Sequence, residues 1–151
     1  MIDVHCEMLC DTCEKEKVNE KQQEQLPSNI VGIRRTENVQ QLAELYSAAD
    51  VFVNPTWQDN YPTVNLEAIA CGTPVVTYRT GGSVEAITDS TGMIVEQGDV
   101  AGLLSAAREI MQRGTQFFKD SCRKFALENF DKEERYNDYL KLYDKLLKRS
   151  R

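Results

Sequence analysis

From Pro27 onward, short apolar runs alternate with stretches in which apolar residues return every three or four positions. The runs predict strands at Asn29 to Ile33, Asp50 to Val53, Thr73 to Tyr78 and Gly92 to Val95. Helical spacing puts Val39, Leu42, Ala43, Leu45, Tyr46 and Ala49 on one face, opened by Asn38 with Gln41 as a capping box. A second helix starts at Pro62, whose fixed φ suits a first helical position, and turns Leu66, Ile69 and Ala70 toward the sheet. Gly72 closes that helix in the left-handed conformation. Ser83 caps a short helix containing Glu85.

Asp99 begins a helix with Val100, Leu103, Leu104, Ala107, Ile110 and Met111 on one side, ended by Gly114. The next helix carries Phe117, Phe118, Cys122, Phe125 and Ala126. Asp131 with Glu134 caps a last one, striped by Tyr136, Tyr139, Leu140, Tyr143, Leu146 and Leu147. Aromatics at that spacing read as packing rather than as a ligand box. Strands alternating with helices imply parallel pairing, so the expected fold is α/β, a Rossmann-like parallel sheet with flanking helices.

Composition divides the chain. Residues 1–26 hold seven acidic and three basic side chains, a net −4 of the chain's −6, and read as an acidic arm, helical or disordered. Within it Ile2, Val4, Cys6 and Met8 alternate as one short strand would. Residues 27–151 read as one folded domain. No apolar run approaches the roughly 20 residues that cross a bilayer, and the acidic start is unlike a signal peptide, so the expected location is the cytoplasm. The basic excess of a nucleic-acid binder is absent.

Cys6, Cys10 and Cys13 form C-x3-C-x2-C beside His5, a spacing that can hold an iron–sulfur cluster or zinc. Cluster chemistry of that kind needs a barrel longer than this chain, so these read as reduced thiols in a tail and no metal is expected. Cys71 and Cys122 fall in helical patterns as small core residues, and five cysteines give no disulfide framework.

The chemical suggestion lies in residues 54–78, NPTWQDNYPTVNLEAIACGTPVVTY, a strand, loop, helix, strand unit. A helix N-terminus beyond a parallel strand offers free N–H groups and the positive end of the dipole, which suit a phosphate. Asp59 and Glu67 bracket it, and a carboxylate can accept from two neighbouring sugar hydroxyls. The plain alternative is that Asp59 caps the helix and Glu67 is solvated. At Arg79 to Gly82 the paired glycines permit close backbone approach to a ligand, or mark a plain turn.

The run Asp59-x7-Glu67, followed by Ala68, Ala70, Gly72, Pro74, Val75 and Val76, resembles the signature of the retaining family-4 (group 1) glycosyltransferases of GT-B fold. The likeness continues through Thr80-Gly81-Gly82-Ser83 with Glu85, Gly92 to Val95 and Asp99 to the closing helix around Tyr136 and Tyr143, about residues 18 to 151.

The resemblance implies the donor-binding half of a GT-B enzyme, with central strands and the acceptor-binding N-terminal domain missing. Asp59 would contact the transferred sugar near its reacting carbon, and Glu67 would hold the ribose hydroxyls. Asn60, Tyr61, Thr63 and Val64 would face the sugar and diphosphate, and Arg35 and Thr36 the base. The implied donor is a UDP- or GDP-linked sugar, with no cofactor and no metal, and the acceptor a sugar or glycolipid. Transfer would proceed with retention by stabilising the departing nucleoside diphosphate.

Three departures stand out. Asp59 replaces the family's Glu, Pro62 removes an N–H, and the family's upstream Arg and Lys have no counterpart, Lys15, Lys17 and Lys21 lying in other surroundings. The isolated chain is therefore expected to be a fragment with little or no transferase activity, open to self-association through exposed sheet edges. A noncatalytic nucleotide-sugar or protein-interaction module is the alternative reading.

Overall fold

The computed structural model describes residues 26–33 and 35–149. Strands β1 (Phe52–Asn54), β2 (Val75–Tyr78) and β3 (Gly92–Val95) form one parallel sheet in the order β1-β2-β3. Phe52 is in register with Val75, and Val75 with Gly92. The helices are α1 (Val39–Ala48), α2 (Thr63–Ala70), α3 (Val100–Arg113), α4 (Thr115–Phe130) and α5 (Lys132–Arg149), with a 3-10 turn at Gly81–Val84. The sheet with flanking helices is the expected α/β, Rossmann-like arrangement.

The central strand explains its own composition. All four residues of β2 are buried, so no polar face alternates with the apolar one, as for a strand covered on both sides. Ile69 of α2, Val75 and Val76 of β2, Ile110 of α3 and Phe118 of α4 are fully buried together. Burying such a side chain contributes roughly 1.5–3 kcal/mol, so this cluster is the main source of stability. Helix α2 packs on α4, and α3 on β2 and β3. Tyr46 of α1 meets Phe52 of β1 edge to face at 5.3 Å, and buried Thr73 donates its hydroxyl to the Tyr46 carbonyl.

Helix ends follow the sequence closely. Asn38 accepts from the Gln41 amide at 2.9 Å, while the Gln41 side chain reaches back to the Glu37 amide at 2.6 Å, one residue beyond a true capping box. Asp99 caps α3 through the Gly102 amide at 2.8 Å, and Asp131 accepts from Glu134 at 3.0 Å. Gly72 takes φ +87° after α2, the left-handed conformation that a residue without Cβ adopts cheaply. Pro62, expected at the first helical position, is instead the extended residue before it, with Thr63 at the first position.

Several further expectations need correction, among them Val39, placed on the apolar face of α1 but 83% exposed. Residues 29–33 form no strand. The Ile30 amide turns back to the Pro27 carbonyl at 2.9 Å, Val31 is exposed, and among the described residues no strand runs beside the segment to complete a ladder. Ser83 lies inside the 3-10 turn rather than capping it; Thr80 precedes the turn in extended conformation. In α2 the buried partner of Ile69 is Ala68, and Ala70 is exposed. In α3 Val100 and Leu104 face solvent while Ala106 joins Leu103, Ala107 and Ile110 inside. None of the α5 residues is buried, so its stripe does not pack into this core.

The alternating run at Ile2 to Met8, the arm at Glu14 to Gln25 and the cysteines at 6, 10 and 13 lie outside the described residues. Among the described residues no helix is long and apolar enough to cross a membrane.

Candidate functional site

Because the three strands are parallel, their C-terminal ends share one edge of the sheet, and the segments 55–62, 79–85 and 96–99 leave from it. They are tied to one another there. Thr80 Oγ1 donates to the Thr56 carbonyl at 3.3 Å, Gln97 Nε2 to the Trp57 carbonyl at 2.8 Å, and Arg79 pairs with Glu96 at 2.7 Å. The Trp57 ring stands edge-on to Tyr78 with centroids 6.1 Å apart.

Asp59 sits at the turn into α2. Its Oδ1 accepts the Tyr61 amide at 3.0 Å, an Asx turn that folds the loop toward the helix start. Its carbonyl accepts the Gly82 amide at 3.2 Å. A β-carbon on Gly81 would lie 2.1 Å from the Asp59 carbonyl oxygen, and one on Gly82 would lie 1.9 Å from that of Asn60. The glycine pair therefore makes a backbone-on-backbone seat for the loop, a reading the sequence had left open between ligand approach and plain turn.

Behind the loop stands Asn65, which sequence reasoning missed. It is 1% exposed; its Oδ1 accepts from Asn54 Nδ2 at 2.8 Å and its Nδ2 donates to the Ser83 carbonyl at 3.3 Å. One amide thus joins the end of β1, the first turn of α2 and the 3-10 turn. Its spacing of three and four from Ala68 and Ile69, on the buried face, was the one available signal. The Ser83 hydroxyl beside it is buried with no hydrogen-bond partner among the described residues.

Of the site residues expected from sequence, Asp59, Asn60, Tyr61, Thr63 and Val64 share this loop-to-helix corner, and Glu67 projects exposed from the second turn of the same helix. Arg35 and Thr36 lie in the irregular segment before α1, and among the described residues no hydrogen bond or ion pair ties them to the 54–62 loop. Partial burial, then the charge of Glu85, raises the Tyr61 phenol above its ordinary value. Burial also raises the Cys71 thiol, opposed by a hydrogen bond from Ser47 and the charge of Arg123, with Glu67 adding to the rise.

The arrangement can hold an anion in one way more than another. Among the described residues no side chain caps α2, so its first amides and the positive end of its dipole face the loop. Arg79 is the one cation in the three segments, and Glu96 already engages it. An anion here would rest chiefly on backbone amides, while Asp59 and Glu85 offer acceptors for hydroxyl groups. Among the described residues no group of three His, Cys, Asp or Glu side chains converges as a metal site.

A family model described as glycosyl transferases group 1 matches residues 3–113. The match begins inside the stretch set apart by its acidic composition. D-inositol 3-phosphate glycosyltransferase of Geodermatophilus obscurus is 44% identical over 77 residues, which is 50% of this chain and 17% of that protein. A second such enzyme, from Catenulispora acidiphila, is 39% identical over 90 residues, 54% of this chain and 21% of the relative. The chain thus spans about a fifth or less of the curated relatives it matches.

Among solved structures, sucrose-phosphate synthase of Thermosynechococcus elongatus superimposes with a TM-score of 0.69 at 28% identity, over 79% of this chain and 30% of that one. Anabaena HepE, solved with UDP, gives 0.68 at 17% identity over 78% of this chain and 32% of its own, a likeness of fold alone.

Proposed function

This chain belongs to the group 1 glycosyltransferases, the GT-B family 4, and we propose that the corner of β1, α2 and the Gly81–Gly82 turn is the donor half-site of a sugar transferase. The donor is a nucleotide-sugar, UDP- or GDP-linked, and transfer to a saccharide or glycolipid acceptor proceeds with retention. Glu67 accepts the ribose hydroxyls, and Asp59 meets the transferred sugar near its reacting carbon. Amides at Asn60, Thr63 and Val64 face the sugar and diphosphate, the Tyr61 amide being held by Asp59, with Arg35 and Thr36 toward the base. The departing nucleoside diphosphate is stabilised by these amides and the helix dipole, a contribution that grows as negative charge develops.

One observation carries this reading. The loop bearing Asp59 is clamped by backbone contacts from Gly82 against a helix start that no side chain among the described residues caps, at the C-terminal edge of a parallel sheet. A loop held this way is preorganised for a ligand with both phosphate and hydroxyl groups. A second reading, a noncatalytic nucleotide-sugar module, is favoured by the engagement of Arg79 with Glu96, which leaves segments 55–62, 79–85 and 96–99 without a spare cation.

Titration calorimetry of the chain with UDP, GDP and ADP, with folding followed by circular dichroism, tests the site. Saturable binding of one nucleotide is expected, and the UDP held by HepE makes uridine the first to try. Absence of binding by a folded chain would contradict the proposal. Transfer to a saccharide acceptor separates the enzyme from the noncatalytic module.

A further inference from the structure

Trp57 lies in the loop of the proposed donor site, and no step of the donor reading uses it. It is 64% exposed, yet it is held in place. The ring meets buried Tyr78 with centroids 6.1 Å apart and planes at 68°, and a β-carbon added at Gly98 would lie 3.4 Å from Cη2, so the tip of the benzo ring rests over this glycine. The backbone around it is pinned as well: Thr80 Oγ1 donates to the Thr56 carbonyl, Gln97 Nε2 to the Trp57 carbonyl and the Gly82 amide to the Asp59 carbonyl. Single exposed apolar residues are ordinary on a protein surface. An indole fixed in a clamped loop with most of its surface in water is a platform.

A rigid aromatic face suits a ligand with a patch of C–H groups rimmed by hydroxyls, which a pyranose ring has and a phosphate lacks. An acceptor for those hydroxyls is fixed beside the ring: Gln97 spends Nε2 on the Trp57 carbonyl and keeps Oε1 without a partner among the described residues. The order of groups along the chain says which sugar. In the donor reading Glu67 takes the ribose, the amides of Asn60, Thr63 and Val64 the diphosphate, and Asp59 the transferred sugar near its reacting carbon. The ligand therefore runs toward lower residue numbers, and Trp57 stands one step beyond Asp59, on the side from which an acceptor hydroxyl must approach that carbon.

Resting on that reading of the site, we propose that Trp57 is the stacking platform for the acceptor sugar, a pyranose whose C–H face lies on the indole and whose rim hydroxyls meet Gln97 Oε1. Its part is specificity: the ring orients the acceptor and makes or breaks no bond.

Saturation-transfer difference NMR of the full chain with methyl α-D-glucopyranoside, methyl α-D-mannopyranoside and methyl β-D-galactopyranoside tests this, with cyclohexanol as the apolar control. At least one pyranoside should bind saturably at millimolar concentration, with transfer concentrated on the C–H protons of one ring face and a shift of the single indole N–H resonance. Trp57→Ala should weaken that binding about tenfold, the size of loss an aromatic contact carries, and Trp57→Phe by less, with circular dichroism unchanged in both. Saturating UDP-glucose or GDP-mannose, whichever binds, should leave the pyranoside in place. Displacement by either would give the ring to the transferred sugar, and displacement by UDP or GDP alone would give it to the base; both overturn the proposal. So does the absence of any pyranoside response, an equal response to cyclohexanol, or binding that survives Trp57→Ala. Failure of the donor reading looks different: no nucleotide binds by calorimetry while a pyranoside still contacts Trp57, in which case the saccharide platform stands and the donor site falls.

Discussion

The Gly82 amide donates to the Asp59 carbonyl at 3.2 Å, and the space where Gly82 would carry a side chain is filled by the Asn60 carbonyl. Both partners are backbone, so neither can swing aside as a flexible side chain would. Gly82→Ala must push the Asp59 loop off its seat. The expected outcome is a loss of at least about tenfold in nucleotide affinity, equivalent to about 1.4 kcal/mol. Calorimetric titration checks it, with thermal unfolding confirming that the variant still folds.

Asn65 makes a separate prediction about stability. Asn65→Ala strips the Asn54 amide and the Ser83 carbonyl of their partner inside the protein. Leaving buried polar groups unsatisfied costs about 1–3 kcal/mol, and urea unfolding should show a lower midpoint with an unchanged slope. Asn65→Asp keeps the acceptor for Asn54 but sets a buried carboxylate against the Ser83 carbonyl, so at neutral pH it should destabilise at least as much as alanine.

Trp57 is the sole tryptophan, is exposed, and is anchored in the site loop by Gln97 and Tyr78. Ligand at the mouth should therefore change its emission. A saturable fluorescence change with UDP or GDP is expected, at the affinity found by calorimetry and absent in Trp57→Phe.

Cys122 sets a pH dependence. Its thiol is fully buried, donating weakly to the Thr91 carbonyl at 3.8 Å, and burial pushes its pKa from 9.0 to about 12. Below pH 9 both folded and unfolded chains hold the proton, and the stabilisation is complete. Above it the unfolded thiol ionises first, so stability falls by about 1.4 kcal/mol per pH unit until the folded thiol ionises near pH 12. Cys122→Ala should lower stability at neutral pH through the cavity it leaves, yet show a flatter decline above pH 9 in chemical denaturation.

Much of this architecture was legible because local physics dictated it. Asn38, Asp99 and Asp131 cap helices wherever they precede an apolar period, and the β2 run is apolar because both its faces are covered. Residues 29–33 misled because β-branched composition reports a preference, while a strand also needs a neighbour to complete its ladder. The α5 stripe misled because amphipathicity announces that a face seeks cover without saying whether this core supplies it. In the site, the loop and helix carrying Asp59 and Glu67 were visible from spacing and family likeness. Asn65 was not, because a single polar residue on a buried face has no period, and its partners Asn54 and Ser83 are brought together only by the fold.

The central claim, that this corner receives a nucleotide-sugar, is tested most directly by titrating UDP and UDP-linked sugar, then the guanosine pair, into wild type, Glu67→Ala and Asp59→Ala. Glu67→Ala should lose tenfold or more in affinity for both members of the pair that binds, since both carry the ribose. Asp59→Ala should lose affinity for the sugar-nucleotide while sparing the free diphosphate. Equal effects of the two variants on both ligands, or binding indifferent to Glu67, would contradict the account.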